Sequence, residues 1–97
     1  MLYYIAHCYE GKKENLDHAA KITHDLQVED TDNCYICPLL VFSHLNYNEL
    51  GYKTEMELCL DLLSCCDKLI VATGLSQGVY QELEFAKSVG MEIEYLY

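Results

Sequence analysis

The sequence predicts an α/β domain: a small Rossmann-like, three-layer fold with a parallel sheet of about four strands, order 2-1-3-4, and helices on both faces. Three observations carry this. Short apolar runs of strand composition recur along the chain. Stretches with apolar residues at helical spacing separate them, giving the order βαβαβαβ, in which each connection must cross over the sheet. Finally, 97 residues, 52% of them hydrophobic, supply a single core.

Each element has its own reason. Leu2 to Ala6 is an apolar run of strand length. Lys12 to Gln27 places Leu16, Ala19, Ala20, Thr23 and Leu26 on one helical stripe. Asp30, Asp32 and Asn33 make a turn, and Cys34 to Cys37 is a second strand ended by Pro38. Leu39 to Tyr52 has no period and is punctuated by Asn46, Asn48 and Gly51; it reads as a functional or oligomer-forming loop with room for one helical turn. From Thr54 to Cys66 the residues Met56, Cys59, Leu60, Leu63 and Cys66 step at helical spacing, and Lys68 to Ala72 is the third strand. A polar loop, Thr73 to Gly78, leads to a third helix marked by Val79, Leu83, Ala86 and Val89 and closed by Gly90. Glu92 to Leu96 is the last strand.

Composition excludes several functions. The formal net charge is -10, and all six basic residues are lysines. Such a chain repels phosphate backbones and lacks the guanidinium fork that reads them, so nucleic acid is not an expected partner. No apolar run approaches a membrane span, and Met1-Leu2-Tyr3-Tyr4-Ile5 has neither the basic start nor the cleavage site of a signal peptide; the cytoplasm is the expected compartment. The six cysteines are therefore read as reduced, with Cys8, Cys59, Cys65 and Cys66 acting as small hydrophobes. Cys34-Tyr35-Ile36-Cys37 has redox or zinc spacing, but no second ligand pair matches it; no metal and no cofactor is expected.

In a sheet of this order ligands bind beyond the carboxyl ends of the strands, between strands one and three. That selects the loop His7 to Lys13, the loop Thr73 to Gly78 and the start of the third helix. The candidate ligand-binding residues are Ala6, His7, Tyr9 and Gly11 on one side and Ser76, Gly78 and Val79 on the other. Glu82 is the candidate carboxylate there, as nucleophile or base, or simply as an acid near a helix start; Glu84 points elsewhere, into solvent. Ser76 is either a helix cap or a ligand hydroxyl, and Tyr4 either a core residue or part of the site. His7 and Cys8 are strand neighbours facing opposite sides, so they do not form a nucleophile pair.

Tyr4-Ile5-Ala6 with Gly11 and Asn15, then Ser64-Cys65-Cys66-Asp67 running into an apolar strand, then Ser76-x-Gly78-Val79-x-x-Glu82-Leu83-x-x-Ala86, together resemble the nucleoside 2-deoxyribosyltransferase superfamily, and its short phage and bacterial members most. One such domain would occupy residues 1–97. The resemblance implies Glu82 as the nucleophile at an anomeric carbon, Tyr4 as the residue orienting it, and Ser76 as a contact to the sugar 5′ end or its phosphate. The sequence departs from the pattern at Cys59, where the superfamily has an aspartate, and at His7, where it has a glycine. Asp61 lies on another helix face, and Asp67 is a structural position. The segment that helps complete a neighbour's site is reduced to Glu94-Tyr95-Leu96-Tyr97.

The reading that follows is a protein binding a nucleotide- or nucleoside-derived small molecule, for example a phage protein sequestering a host immune signal of ADP-ribose type, with Lys12 and Lys13 as the cations nearest the crevice. The alternative is an N-glycosidase or deoxyribosyltransferase using Glu82. A third is an interaction module built on the tyrosine-rich surface and the loop Leu39 to Tyr52. A homo-oligomer is expected in each case, because so short an α/β chain covers its sheet edges poorly.

Overall fold

A computed structural model describes residues 1–45 and 47–97, the side chains of 47 and 48 excepted. Strands β1 (Leu2–Ala6), β2 (Cys34–Ile36), β3 (Lys68–Val71) and β4 (Glu92–Tyr95) form one sheet in the order β2-β1-β3-β4. Every pairing is parallel. The helices are α1 (Lys13–Glu29), α2 (Pro38–Val41), α3 (Tyr47–Leu50), α4 (Tyr52–Ser64) and α5 (Gln77–Ser88). Among the described residues no helix is long and apolar enough to cross a membrane.

The strand sequences dictate their places. β1 and β3 are nearly unbroken apolar runs, as a strand covered on both faces requires, and they take the centre. β2 is short and β4 carries Glu92 and Glu94; both are edges. The register lines up Ile36, Tyr4, Leu69 and Ile93 in one row. This row packs with Leu63 of α4 and with Val79, Leu83 and Ala86 of α5. The opposite face carries Ile5 and Ile70, which pack with Ala19 of α1 and with Cys37. The expected three layers result.

Four expectations are corrected. The stretch from Leu39 to Tyr52 is not an open loop: it holds the end of α2, all of α3 and the first residue of α4. Pro38 opens α2, where its missing N–H costs nothing, and β2 ends earlier, at Ile36. Two four-residue helices are too short to print a period, which is why the sequence does not announce them. The expectation for Asn46 lies outside the described residues. Second, α4 begins at Tyr52, two residues before Thr54, preceded by Gly51 at φ 81°. Third, Val89 is 56% exposed because it caps α5 rather than continuing its stripe; the N–H groups of Gly90 and Met91 turn back to Lys87 and Ala86, with Gly90 at φ 72°. Fourth, Cys65 is exposed at the α4 C-cap, whereas Cys8, Cys59 and Cys66 are half-buried.

Candidate functional site

The two loops selected by topology meet. The Cys8 N–H donates to Thr73 Oγ1 at 3.0 Å, tying the segment after β1 to the segment after β3. Tyr9 is fixed by its own carbonyl, which accepts from Lys12 N at 3.0 Å and from Asn15 Nδ2 at 2.8 Å. This turn forces Glu10 and Gly11 into the left-handed region, at φ 54° and 70°. Such a backbone is uncommon for glutamate and ordinary for glycine.

Beyond these loops lies a cavity of about 770 Å³. One side is formed by His7, Tyr9, Glu10 and Leu16, another by residues between Pro38 and Glu49. Helix α4 contributes Tyr52, Glu55, Met56 and Cys59, and α5 contributes Ser76, Gln77, Gly78, Val79 and Glu82. Of the candidates, His7, Tyr9, Ser76, Gly78, Val79 and Glu82 line it. Ala6 and Tyr4 are fully buried beneath, and neither they nor Gly11 reach it. Lys12 and Lys13 do not line it either; both are exposed, and Lys13 pairs with Asp17 at 3.0 Å.

Glu82 is the centre of the arrangement. It sits in the second turn of α5, past the reach of the helix-start dipole, so the dipole reading does not apply. It is only 4% exposed, yet it borders the cavity. The Tyr4 hydroxyl donates to Glu82 Oε2, and Tyr4 is its only hydrogen-bond donor among the described residues. Burial pushes the Glu82 carboxyl up to about 7, against the opposing pull of the Tyr4 bond. Burial, with the Glu82 charge beside it, holds the Tyr4 phenol well above its usual range. Glu84 is exposed, and its carboxylate lies 3.8 Å from Lys87 Nζ.

Cys59 stands where the resemblance to the deoxyribosyltransferases leads one to expect an aspartate. Burial, reinforced by the Glu82 charge, pushes its thiol up to about 12, while a hydrogen bond with Tyr4 opposes that. It is a poor proton donor at neutral pH. Asp61 is exposed, and Asp67 lies at the opposite end of the sheet, where its Oδ2 accepts the Leu2 N–H at 2.7 Å. Cys37 is buried, and burial pushes its thiol up to about 11; paired in sequence with the exposed Cys34, it lacks the thiolate character redox work requires.

Two lining residues owe their places to helix structure. Ser76 Oγ accepts the Val79 N–H at 3.2 Å, a helix cap. A Cβ on Gly78 would stand 3.2 Å from Met56 Cε, so glycine there lets α5 approach α4 closely. His7 is buried, with Nδ1 at 2.7 Å from the Cys8 carbonyl and Nε2 at 2.7 Å from His18 Nδ1. Donation from Nδ1 to that carbonyl makes Nε2 the acceptor of the His18 proton. Burial lowers the His7 pKa, the carbonyl bond opposes this, and His18 adds to the lowering. The sequence does not single out Glu55, nor Glu10 within the selected loop His7 to Lys13, nor Glu49 and Tyr52 within the stretch Leu39 to Tyr52. The α4 residues had a signal: 52, 55, 56 and 59 fall at i, i+3, i+4 and i+7, one helix face.

A family model covers residues 1–96. The chain belongs to DUF7768, a family described as a domain of unknown function. No curated protein matches it. For this DUF7768 domain, the site itself must carry the functional argument.

Proposed function

We propose that this domain binds a nucleoside- or nucleotide-derived small molecule in the crevice, with Glu82 addressing the sugar. One observation carries the reading: Glu82 is 4% exposed, bonded to Tyr4, and opens on a cavity of about 770 Å³ beyond the carboxyl ends of β1 and β3. Such a volume suits a nucleoside-sized ligand. The sequence resemblance to nucleoside 2-deoxyribosyltransferases supports a ribosyl compound, and a reduced compartment such as the cytoplasm agrees with six cysteines outside disulfides.

A second reading, N-glycoside cleavage by Glu82, is favoured by the carboxyl at about 7. It is about half ionised at neutral pH, and the Tyr4 hydroxyl holds the oxygen not needed for attack. The carboxylate would bond to the anomeric carbon as the base departs with the electrons of the broken bond, and water would then hydrolyse the ester.

A fate assay separates the two. The protein is incubated with deoxynucleosides, deoxynucleoside monophosphates and cyclic ADP-ribose derivatives, then heat-denatured, and the supernatant is analysed by mass spectrometry. Ligand depleted before heating and recovered intact establishes binding. Base released over time, and lost in Glu82→Gln, establishes cleavage. No depletion and no release across the set overturns both.

The reading includes a homo-oligomer. β2 and β4 end the sheet, and Tyr95, Leu96 and Tyr97 are exposed beside the β4 edge. A monomer mass by light scattering at high concentration would overturn that part.

A further inference from the structure

The charge around the cavity narrows the ligand class beyond the reading above, on which this inference rests. Four glutamates line the cavity: Glu10, Glu49, Glu55 and Glu82. No lysine or arginine does so among the described residues. Of the two lining histidines, His7 is buried and engaged at both ring nitrogens, by the Cys8 carbonyl and by His18. Tyr9, Phe42 and Tyr52 also line the cavity. A phosphate placed here would meet carboxylates with no lysine or arginine to answer it among the described residues, whereas a flat positive ring would gain from both the carboxylates and the aromatic side chains.

We infer that the cavity selects an N-glycoside whose base carries a fixed positive charge, such as a pyridinium or an N7-alkylpurinium nucleoside, and disfavours the corresponding 5′-phosphate. A second observation agrees. Glu82, 4% exposed, keeps one carboxylate oxygen on Tyr4 and has no cation beside it among the described residues. A cationic ligand would supply the missing charge.

The inference also accounts for Cys59. A neutral base leaves an N-glycoside readily only with a proton from an acid. A cationic base needs none. As the C1′–N bond breaks, its electron pair returns to the ring nitrogen and cancels the positive charge, while a Glu82 oxygen bonds to C1′. The base departs neutral, and water attack on the glycosyl ester then frees the sugar, restores the carboxylate and releases one proton to solvent. A thiol pushed up to about 12 at the usual acid position is no handicap to such a substrate.

The test compares 7-methylguanosine, guanosine and 7-methylguanosine 5′-monophosphate by calorimetry at pH 6.5, with the supernatant checked for free base. The expected result is 7-methylguanosine bound about tenfold or more tighter than guanosine, and its monophosphate weaker than the nucleoside. In the double variant Glu49→Gln/Glu55→Gln the gap between 7-methylguanosine and guanosine should narrow severalfold. Guanosine bound as well as 7-methylguanosine, or a monophosphate bound more tightly, overturns the charge inference and leaves the nucleoside reading standing. No binding and no cleavage of any of the three overturns both.

Discussion

The two ends of the sheet treat acidic residues in opposite ways. At the end where the strands begin, Asp67, Glu92 and Glu94 each have a partner. Asp67 accepts the Leu2 N–H at 2.7 Å and returns its own N–H to the Leu2 carbonyl at 2.8 Å, fixing β1 to the turn before β3. Lys68 lies against Glu94 and 3.5 Å from Glu92, and its ammonium also sits 5.1 Å from the Tyr3 ring centroid. At the end where the strands finish, Glu82 is buried with a phenol as its only partner among the described residues and a cavity in front of it. Paired charges at one end, the carboxylates exposed, hold the chain in register and ask for nothing more. A buried carboxylate without a cation costs stability, and a fold retains such a group where a ligand can use it.

Breaking the buried pair should have the largest effect. Tyr4 is fully buried beneath the cavity, in contact with both sheet and helices, so Tyr4→Ala should lower stability by about 3–5 kcal/mol in denaturant unfolding. Tyr4→Phe keeps the ring and removes the donor. The Glu82 carboxyl should then titrate above about 7, read from its side-chain carbon shift, because the bond that held it down is gone.

Next comes the cost of ionising Glu82. Its pKa in the folded chain is about 7 against 4.5 for an ordinary glutamate. The folded state therefore holds the proton more tightly than the unfolded chain. The stability this lends is complete below about 4.5 and is lost as pH rises to about 7. Replacing the group with a neutral amide should remove that loss. Glu82→Gln should gain up to about 3 kcal/mol over the natural chain at pH 8 and little at pH 4. Equal effects at both pH values would mean that Glu82 ionises without penalty.

The opposite end should respond more weakly. Asp67→Ala removes one charge-assisted bond at an exposed position and should cost about 1 kcal/mol, with the Glu82 titration unmoved. Lys68→Gln should cost less than about 1 kcal/mol, and less still at high salt, since its acidic partners are largely solvated. A large effect of either on the Glu82 titration would break the contrast between the two ends.

Much of this contrast can be traced back to the linear chain. Four apolar runs joined by crossover helices make the sheet parallel, and the expected order 2-1-3-4, which the structure shows, points to the loops after β1 and β3. The phase of Glu82 beside Val79, Leu83 and Ala86 already sets it near the buried side of α5. The cavity walls were less legible. Helices α2 and α3 span four residues each and leave no periodic trace. Setting the start of α4 at Thr54 hid Tyr52, and with it the cavity-facing row that continues through Glu55, Met56 and Cys59. Gly78 looks like a ligand-loop glycine until α4 is seen against it at Met56.

What the sequence determines by itself is therefore local and periodic: strand and helix placement, the cap at Ser76, the αL stop at Gly90, and through chain order the parallel topology. Each rests on the preferences of neighbouring residues and on the fixed hand of crossover connections. Only the tertiary structure decides that Tyr4 and Glu82, 78 residues apart, share a hydrogen bond, and that four separated glutamates face one space. Burial and charge are properties of what surrounds a side chain, and those surroundings come from segments distant in sequence. The carboxyl at about 7 exists only where they meet.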